Sequence, residues 1–338
     1  MKELIKPQRI HPGDTVATIS ISGGRAGDKD MLWRYELGKR RLQEVFGLKV
    51  VETPHALAGN EYTYQHPETR AADLHWALEN PEVKAIITNM GGDDSYRLFP
   101  YLDYDLIRSH PKIFMGYSDI TTTCCCFAHA GVMSYYGPNL LTPIAQPGHL
   151  DSYTENAIRR ALFSAEPIGR VEPCKRYTPI EWQDKPEEDI VWQDNPGYKL
   201  IQGRGKVQGR LLGGCWGPLQ QIMGTNIFPD RELWEGSIIF MENISPYNSA
   251  LAALHGWRAL AASGALDVCA GIITPAMSEK EDQMLLKVLR QEVHREDLPV
   301  LEGVDFGHRT PMTVLPVGAM AELDCDSASF TIMESGVC

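Results

Sequence analysis

The sequence contains no apolar run approaching the ~20 residues that cross a bilayer. Met1–Pro12 is mixed and charged, without the apolar stretch of a secretory leader. These absences lead to the expectation of a cytoplasmic protein. Positive charge is scarce: 32 Lys and Arg stand against 44 Asp and Glu, a formal net charge of -12. That balance argues against a nucleic-acid backbone or an anionic membrane as partner. No C-x-x-C pair occurs among the eight cysteines, and three of them are consecutive at Cys124–Cys126. Adjacent cysteines on a helix point in different directions. They read as small core residues in a reducing compartment, not as disulfides or metal ligands. There is no internal repeat and no low-complexity tract. The G-x-G-x-x-G spacing of dinucleotide sites is also missing after the first strand, where Ser22–Gly27 offers only G-G-x-x-G. Glycines there are ordinary turn residues first, and a nucleotide-binding protein built on that loop is the rival reading from another class.

What is present is an alternation of strands and helices. The 338 residues exceed one ordinary core, so two domains are expected. The hydrophobic share of 43% with 22% charged residues is that of a globular protein. Thr15–Ser20, Leu48–Val51, Lys84–Met90 and the run before Gly116 read as strands. Between them, Met31, Tyr35, Leu42, Val45 and Phe46 share one helical face, and Ala71, Leu74 and Leu78 mark another helix. This is the pattern of an α/β fold with a doubly wound, mostly parallel sheet, in which function gathers at the carboxyl ends of strands. Ser134–Gly137 is a further strand. Ser152-x-x-Glu155 has the form of a capping box opening a helix to about Ser164.

Glu166–Gly197 is proline-rich, acidic and aperiodic, and carries Trp182 and Trp192. It reads as a crossover between domains and a substrate-facing loop. The tryptophans could stack on a ligand ring or plug the domain interface. Beyond it, Lys206–Leu212, Ser237–Met241, Ala270–Thr274 and Pro299–Val304 are strand patterns. Val314–Val317 with Met320–Leu323 has the look of a closing hairpin. The expected organisation is residues 1–165, 166–197 as the crossover, and 198–338.

Chemistry-bearing residues stand at the strand ends. Ile113, Phe114 and Met115 form a short apolar strand that stops at Gly116-Tyr117-Ser118-Asp119. Asp119 and Thr121–Thr123 are helix-start residues. A serine between a strand and a helix is exposed, rigid and close to free N–H donors, which suits a nucleophile. Position 120 is Ile, so only the first half of a G-x-S-x-G elbow is matched, and a serine in this position is more often a helix cap. Glu242 ends another strand and His308 follows a third. Histidine can take a serine proton near neutral pH, and a carboxylate can hold the imidazole in the right tautomer. Each has a plainer reading too: Glu242 with Asn243 as a helix cap, His308 as a turn residue.

Taken in register, the blocks resemble the L,D-carboxypeptidase family of serine peptidases. In the first half these are Gly91-Gly92 with Ser95-x-Arg97-Leu98, Pro100–Tyr104, Pro111-Lys112, Gly116–Thr121 and Gly137-Pro138. In the second they are Gly209-x-Leu211-x-Gly213-Gly214, Gly224-Thr225, Phe240-Met241-Glu242 and Phe306-Gly307-His308-x-x-Pro311. The resemblance runs from about Ile10 to Leu323. It implies a Ser118–Glu242–His308 triad and an oxyanion hole from the backbone N–H groups of Gly92 and Asp119. It also implies a flavodoxin-like N-terminal domain, a smaller β-rich α/β C-terminal domain, a site at their interface and a homodimer; no cofactor or metal is expected. The block Met90-Gly91-Gly92-Asp93-Asp94-Ser95 departs from the Arg-Gly-Gly-Tyr-Gly-Ser usual in peptidoglycan-recycling members and lies closer to the microcin C immunity branch. That branch cleaves an amide next to a nucleotide and stacks a loop tryptophan on the base. The expected activity is hydrolysis of an amide near the carboxyl end of a small peptide or peptidyl-nucleotide. Murein tetrapeptide is the alternative substrate, and a non-catalytic binding protein is a further alternative. Gly91, Ser95, Trp182, Trp192 and Asn243 are the candidate substrate contacts.

Overall fold

The computed structural model describes residues 3–179, 190–243 and 250–338. The first sheet carries strands β1 (Thr15–Ile19), β2 (Lys49–Glu52), β3 (Val83–Thr88), β4 (Ile113–Gly116) and β5 (Tyr135–Tyr136). They are parallel and lie in the order β2-β1-β3-β4-β5. This is the doubly wound order whose ligand crevice opens where the chain reverses direction between β1 and β3. The core strands are apolar on both faces because helices cover both sides: β3 and β4 are buried almost throughout. The helix Ile120–Ala130 is itself buried at nearly every position, including Cys124, Cys125 and Cys126. Phe127 on that helix stacks on Phe114 of β4 at 4.7 Å between ring centroids. All eight cysteines are free, as read from their spacing, and seven are buried.

After a helix at Ser152–Ile158 the chain enters the second half through β6 (Gly169–Val171), β7 (Arg176–Pro179), β8 (Gln193–Asp194) and β9 (Lys199–Gln202). Next come β10 (Lys206–Cys215), β11 (Ile238–Glu242), β12 (Gly271–Thr274), β13 (Val300–Glu302), β14 (Arg309–Thr310), β15 (Leu315–Pro316), β16 (Met320–Asp324) and β17 (Ser329–Ile332). The second sheet runs β6-β17-β16-β10-β11-β12-β13-β9. Its centre, β10 to β13, is parallel, and its flanks are antiparallel. The protein is therefore a two-part mixed α/β fold. Among the described residues, no helix is long and apolar enough to cross a membrane.

Three local expectations are corrected. The pair at positions 314–323 is not one hairpin. β15 adds antiparallel to β5 in the first sheet, while β16 pairs with β10 and β17 in the second. The two short runs have the same period and nothing local separates their partners. The helix at Ser152 is capped by Asp151, whose carboxylate accepts the Tyr153 N–H, rather than by a Ser152–Glu155 box. A reciprocal box does form further on, between Ser278 and Glu281. The segment 166–197 is not wholly irregular: β6 forms an edge of the second sheet, and β7 and β8 build a small sheet with β14.

Phe127→Ala should cost about 3–5 kcal/mol of stability, because the stacked core under the first sheet cannot close over the lost ring. Leu251, 59% exposed on the helix Ala250–Ala262, provides the contrast, and its replacement by Ala should stay within about 0.5 kcal/mol. Urea unfolding of both variants measures the difference.

Candidate active site

The strand β4 stops at Gly116, and the chain turns sharply before the helix Ile120–Ala130 begins. Ser118 is at the apex with φ of 67°, a left-handed conformation that a non-glycine residue rarely adopts. A strained serine between a strand and a helix is the geometry of a nucleophile elbow, reached here without the second glycine. Ser118 is 8% exposed and rests on the glycine loop after β3. A Cβ built on Gly91 would lie 2.8 Å from Ser118 Cβ, so the bare glycine makes room for the serine.

The loops around the elbow are tied by one carboxylate. Asp119 does not cap the helix with its side chain. Its Oδ2 accepts the Ser22 hydroxyl from the loop after β1 and the Ser95 N–H from the loop after β3. Ser95 is fully buried and donates its hydroxyl to the Asp119 carbonyl, so it holds the loop from inside. Arg70, also buried, grips Asp94 with two nitrogens at 2.8 and 3.2 Å, and Arg97 reaches the same carboxylate. Gly23 N–H donates to the Gly91 carbonyl at 2.9 Å. The G-G-x-x-G loop is thus packed against the protein itself. Built Cβ atoms on Gly24 and Gly27 would collide with Thr63 and with the Leu57 carbonyl. Among the described residues, neither the Gly92 nor the Asp119 N–H donates to an acceptor, which leaves both as donors beside Ser118.

From the second sheet come Glu242, at the end of β11, and His308, in the turn after β13. Glu242 is 1% exposed. Its Oε2 accepts the His308 backbone N–H at 2.7 Å and faces His308 Nδ1 at 2.9 Å. Its Oε1 accepts the hydroxyl of Tyr136 from β5. Gly307 has φ of 77°, and a Cβ there would come within 1.8 Å of Glu242 Oε2, so this turn closes on the carboxylate only as glycine. A carboxylate at Nδ1 holds the ring proton there and leaves Nε2 as the basic nitrogen. The Tyr117 ring, next to Ser118, meets the His308 ring edge-on at 5.1 Å. Cys215 lies beside Glu242 in register on β10. Burial, and then the charge of Glu242, push its thiol well above the usual range.

Asn243 donates its amide to Glu281 at 2.7 Å. Trp192 is half-buried with the Arg176 guanidinium 5.7 Å over its ring. Trp182 lies outside the described residues. Sequence reading missed Tyr136. Its only signal was a tyrosine at the end of a short strand, and nothing local reports that its hydroxyl crosses to another sheet.

A fold whose two halves bring a strained serine, a histidine–carboxylate pair and free N–H groups to adjoining strand ends is that of a hydrolytic enzyme. Residues 16–137 match the LD-carboxypeptidase N-terminal domain and residues 208–323 the LD-carboxypeptidase C-terminal domain. YocD of Bacillus subtilis (strain 168), named as a carboxypeptidase, is 30% identical over 294 residues, covering 86% of this chain and 87% of that protein. The Microcin C7 self-immunity protein MccF of Escherichia coli is 30% identical over 283 residues, 78% of each chain. MccF solved with aspartyl sulfamoyl adenosine aligns with a TM-score of 0.86 at 26% identity, covering 99% of this chain and 100% of that one. An active-site mutant of MccF, with a serine among three residues replaced by alanine, aligns with a TM-score of 0.87 at 25% identity, with the same coverage. The chain belongs to the LD-carboxypeptidase family of peptidases.

Burial raises the Asp119 carboxyl above its ordinary value, and the donors Ser22 and Ser95 offset only part of this. The folded protein therefore holds that proton more tightly than the unfolded chain does. The stabilisation is fully present below the ordinary value of 3.8 and is lost as pH rises through the folded value. Asp119→Asn removes this dependence. The stability of wild type minus that of the variant should fall as pH rises from about 3 toward 7, as measured by urea unfolding at each pH.

Proposed function

We propose that this peptidase works through Ser118, His308 and Glu242, with the N–H groups of Gly92 and Asp119 as the oxyanion hole. The observation that carries the reading is the Glu242–His308 bond beside a serine held at positive φ. His308 Nε2 takes the Ser118 proton as Oγ attacks the substrate carbonyl. The two N–H groups hold the tetrahedral oxyanion, whose charge would otherwise be unfavourable in a site this enclosed. Protonated His308 then gives its proton to the departing amine, and water, deprotonated by the same ring, frees the acyl group. Glu242 holds the imidazole ring and balances the imidazolium charge.

The favoured substrate is a peptidyl- or aminoacyl-nucleotide cleaved at an amide near its carboxyl end. MccF, at 30% identity, has been solved with an aminoacyl sulfamoyl nucleoside. In this chain a cavity of about 470 Å³ is lined by Trp192, Arg176, Lys175, His149, Asp151 and Pro311, the last only three residues after His308. An aromatic face with cations beside it suits a base and a phosphate-like linker. Murein tetrapeptide losing its terminal D-alanine is the second reading, favoured by the matched family's own LD-carboxypeptidase description. The same reading includes a cytoplasmic homodimer that needs neither cofactor nor metal. It divides the chain into 1–165 bearing the serine, a crossover at 166–197, and 198–338 bearing the glutamate and histidine.

Ser118→Ala should lower kcat by at least about a thousandfold while the thermal midpoint stays within a few degrees, since it removes only the covalent route. Wild-type turnover in that variant would refute the triad. Hydrolysis of murein tetrapeptide beside an aminoacyl sulfamoyl nucleotide, with product release followed by chromatography, decides the substrate. Trp192→Ala and Trp182→Ala should each raise KM for the nucleotide substrate and leave the murein peptide unaffected if a ring stacks on the base.

A further inference from the structure

We propose that Tyr136 is a positioning residue that couples the Ser118 elbow to the Glu242–His308 pair through its hydroxyl. The inference rests on the catalytic reading of those three residues and goes beyond it by assigning a fourth. Tyr136 ends β5, in register beside Gly116 of β4 on one side and Leu315 of β15 on the other. It is fully buried. Its oxygen accepts the backbone N–H of Ser118 at 3.0 Å and donates its own hydrogen to Glu242 Oε1. One atom thus touches both halves of the catalytic set.

The ring is fixed by the same partners. It packs against Phe240 at 5.4 Å and Phe306 at 6.3 Å. Phe240 lies two residues before Glu242 on β11, and Phe306 two residues before His308. The tyrosine is therefore inserted from the first sheet into the base of the segments that present the carboxylate and the imidazole. Burial and the nearby carboxylate hold the phenol well above its ordinary value, so it remains protonated and can only donate toward Glu242.

Two consequences follow for catalysis. The Ser118 N–H, held by Tyr136, cannot turn toward the oxyanion, and the strained φ is pinned at the angle that aims Oγ. Half of the Glu242 carboxylate is engaged by the phenol, so only the other oxygen balances charge on His308. Among the described residues, the other titratable groups facing this pair are Tyr117 and Cys215, both pushed upward by burial and uncharged near neutral pH. Removal of the phenol oxygen leaves more of the carboxylate charge to the imidazolium and loosens the elbow.

The test compares wild type, Tyr136→Phe and Ser118→Ala on a cleavable substrate, with full pH profiles of kcat/KM and thermal midpoints. Tyr136→Phe keeps the ring and loses only the two bonds. Its kcat should fall about tenfold to a hundredfold, with KM changed less than about twofold. The acidic limb of kcat/KM should move to higher pH, which a mere packing role would not produce. Unchanged kcat and an unmoved profile in Tyr136→Phe, with Ser118→Ala inactive, would overturn the role of Tyr136 alone. Retained turnover in Ser118→Ala would overturn the catalytic reading beneath it. If Tyr136→Phe does not fold, 3-fluorotyrosine placed at 136 keeps both bonds with a more acidic hydroxyl. A profile superimposable on wild type would then refute the coupling, and a displaced acidic limb would support it.

Discussion

The buried carboxylate of Glu242 is the constraint to which the rest of the architecture answers. A charge taken out of water is costly unless donors replace the lost solvent. Among the described residues, Glu242 receives three: the His308 backbone N–H, the His308 ring and the Tyr136 hydroxyl. None of the three comes from its own strand. Two arrive from the turn after β13 and one from the other sheet, so the charge can be buried only when both halves are assembled. The glycine at 307 belongs to the same requirement, since any side chain there would occupy the position of the carboxylate.

A second seam joins the halves on the other side of the serine. The Cys215 N–H, at the end of β10, donates to Thr121 Oγ1 at 2.8 Å in the helix behind Ser118. Thr121 also returns its hydroxyl hydrogen to the Ser118 carbonyl. The Ser118 N–H and C=O are therefore both held, one by Tyr136 and one by Thr121. This over-determination is what lets a residue persist at positive φ.

Much of this could be read from the residues. Apolar runs such as Ile113–Met115 and Ser237–Met241 identify strands because burial on both faces demands them, and strand ends are where a doubly wound fold presents function. Ser118, Glu242 and His308 were legible as strand-end residues, and the spacing of the blocks around them marked the family. Partners set by tertiary packing were hidden. Asp119 has the composition of a helix cap, yet its carboxylate is claimed by Ser22 and Ser95, which lie close only after β1, β3 and β4 are side by side. Leu315–Pro316 and Met320–Asp324 look alike in sequence and go to different sheets, because open edges exist in both and only the completed fold assigns them. Tyr136 gave no local sign of its second partner.

The edge strand β15 has a bearing on how the molecule comes into being. The serine-bearing sheet obtains its last strand from residues 315–316, far along the chain from β5. A ribosome releases the chain from its amino end, so the elbow emerges long before the strand that flanks Tyr136. A nascent or truncated polypeptide therefore carries the serine without its completed surroundings. The first sheet is complete only once residues 315–316 have been made and have paired with β5.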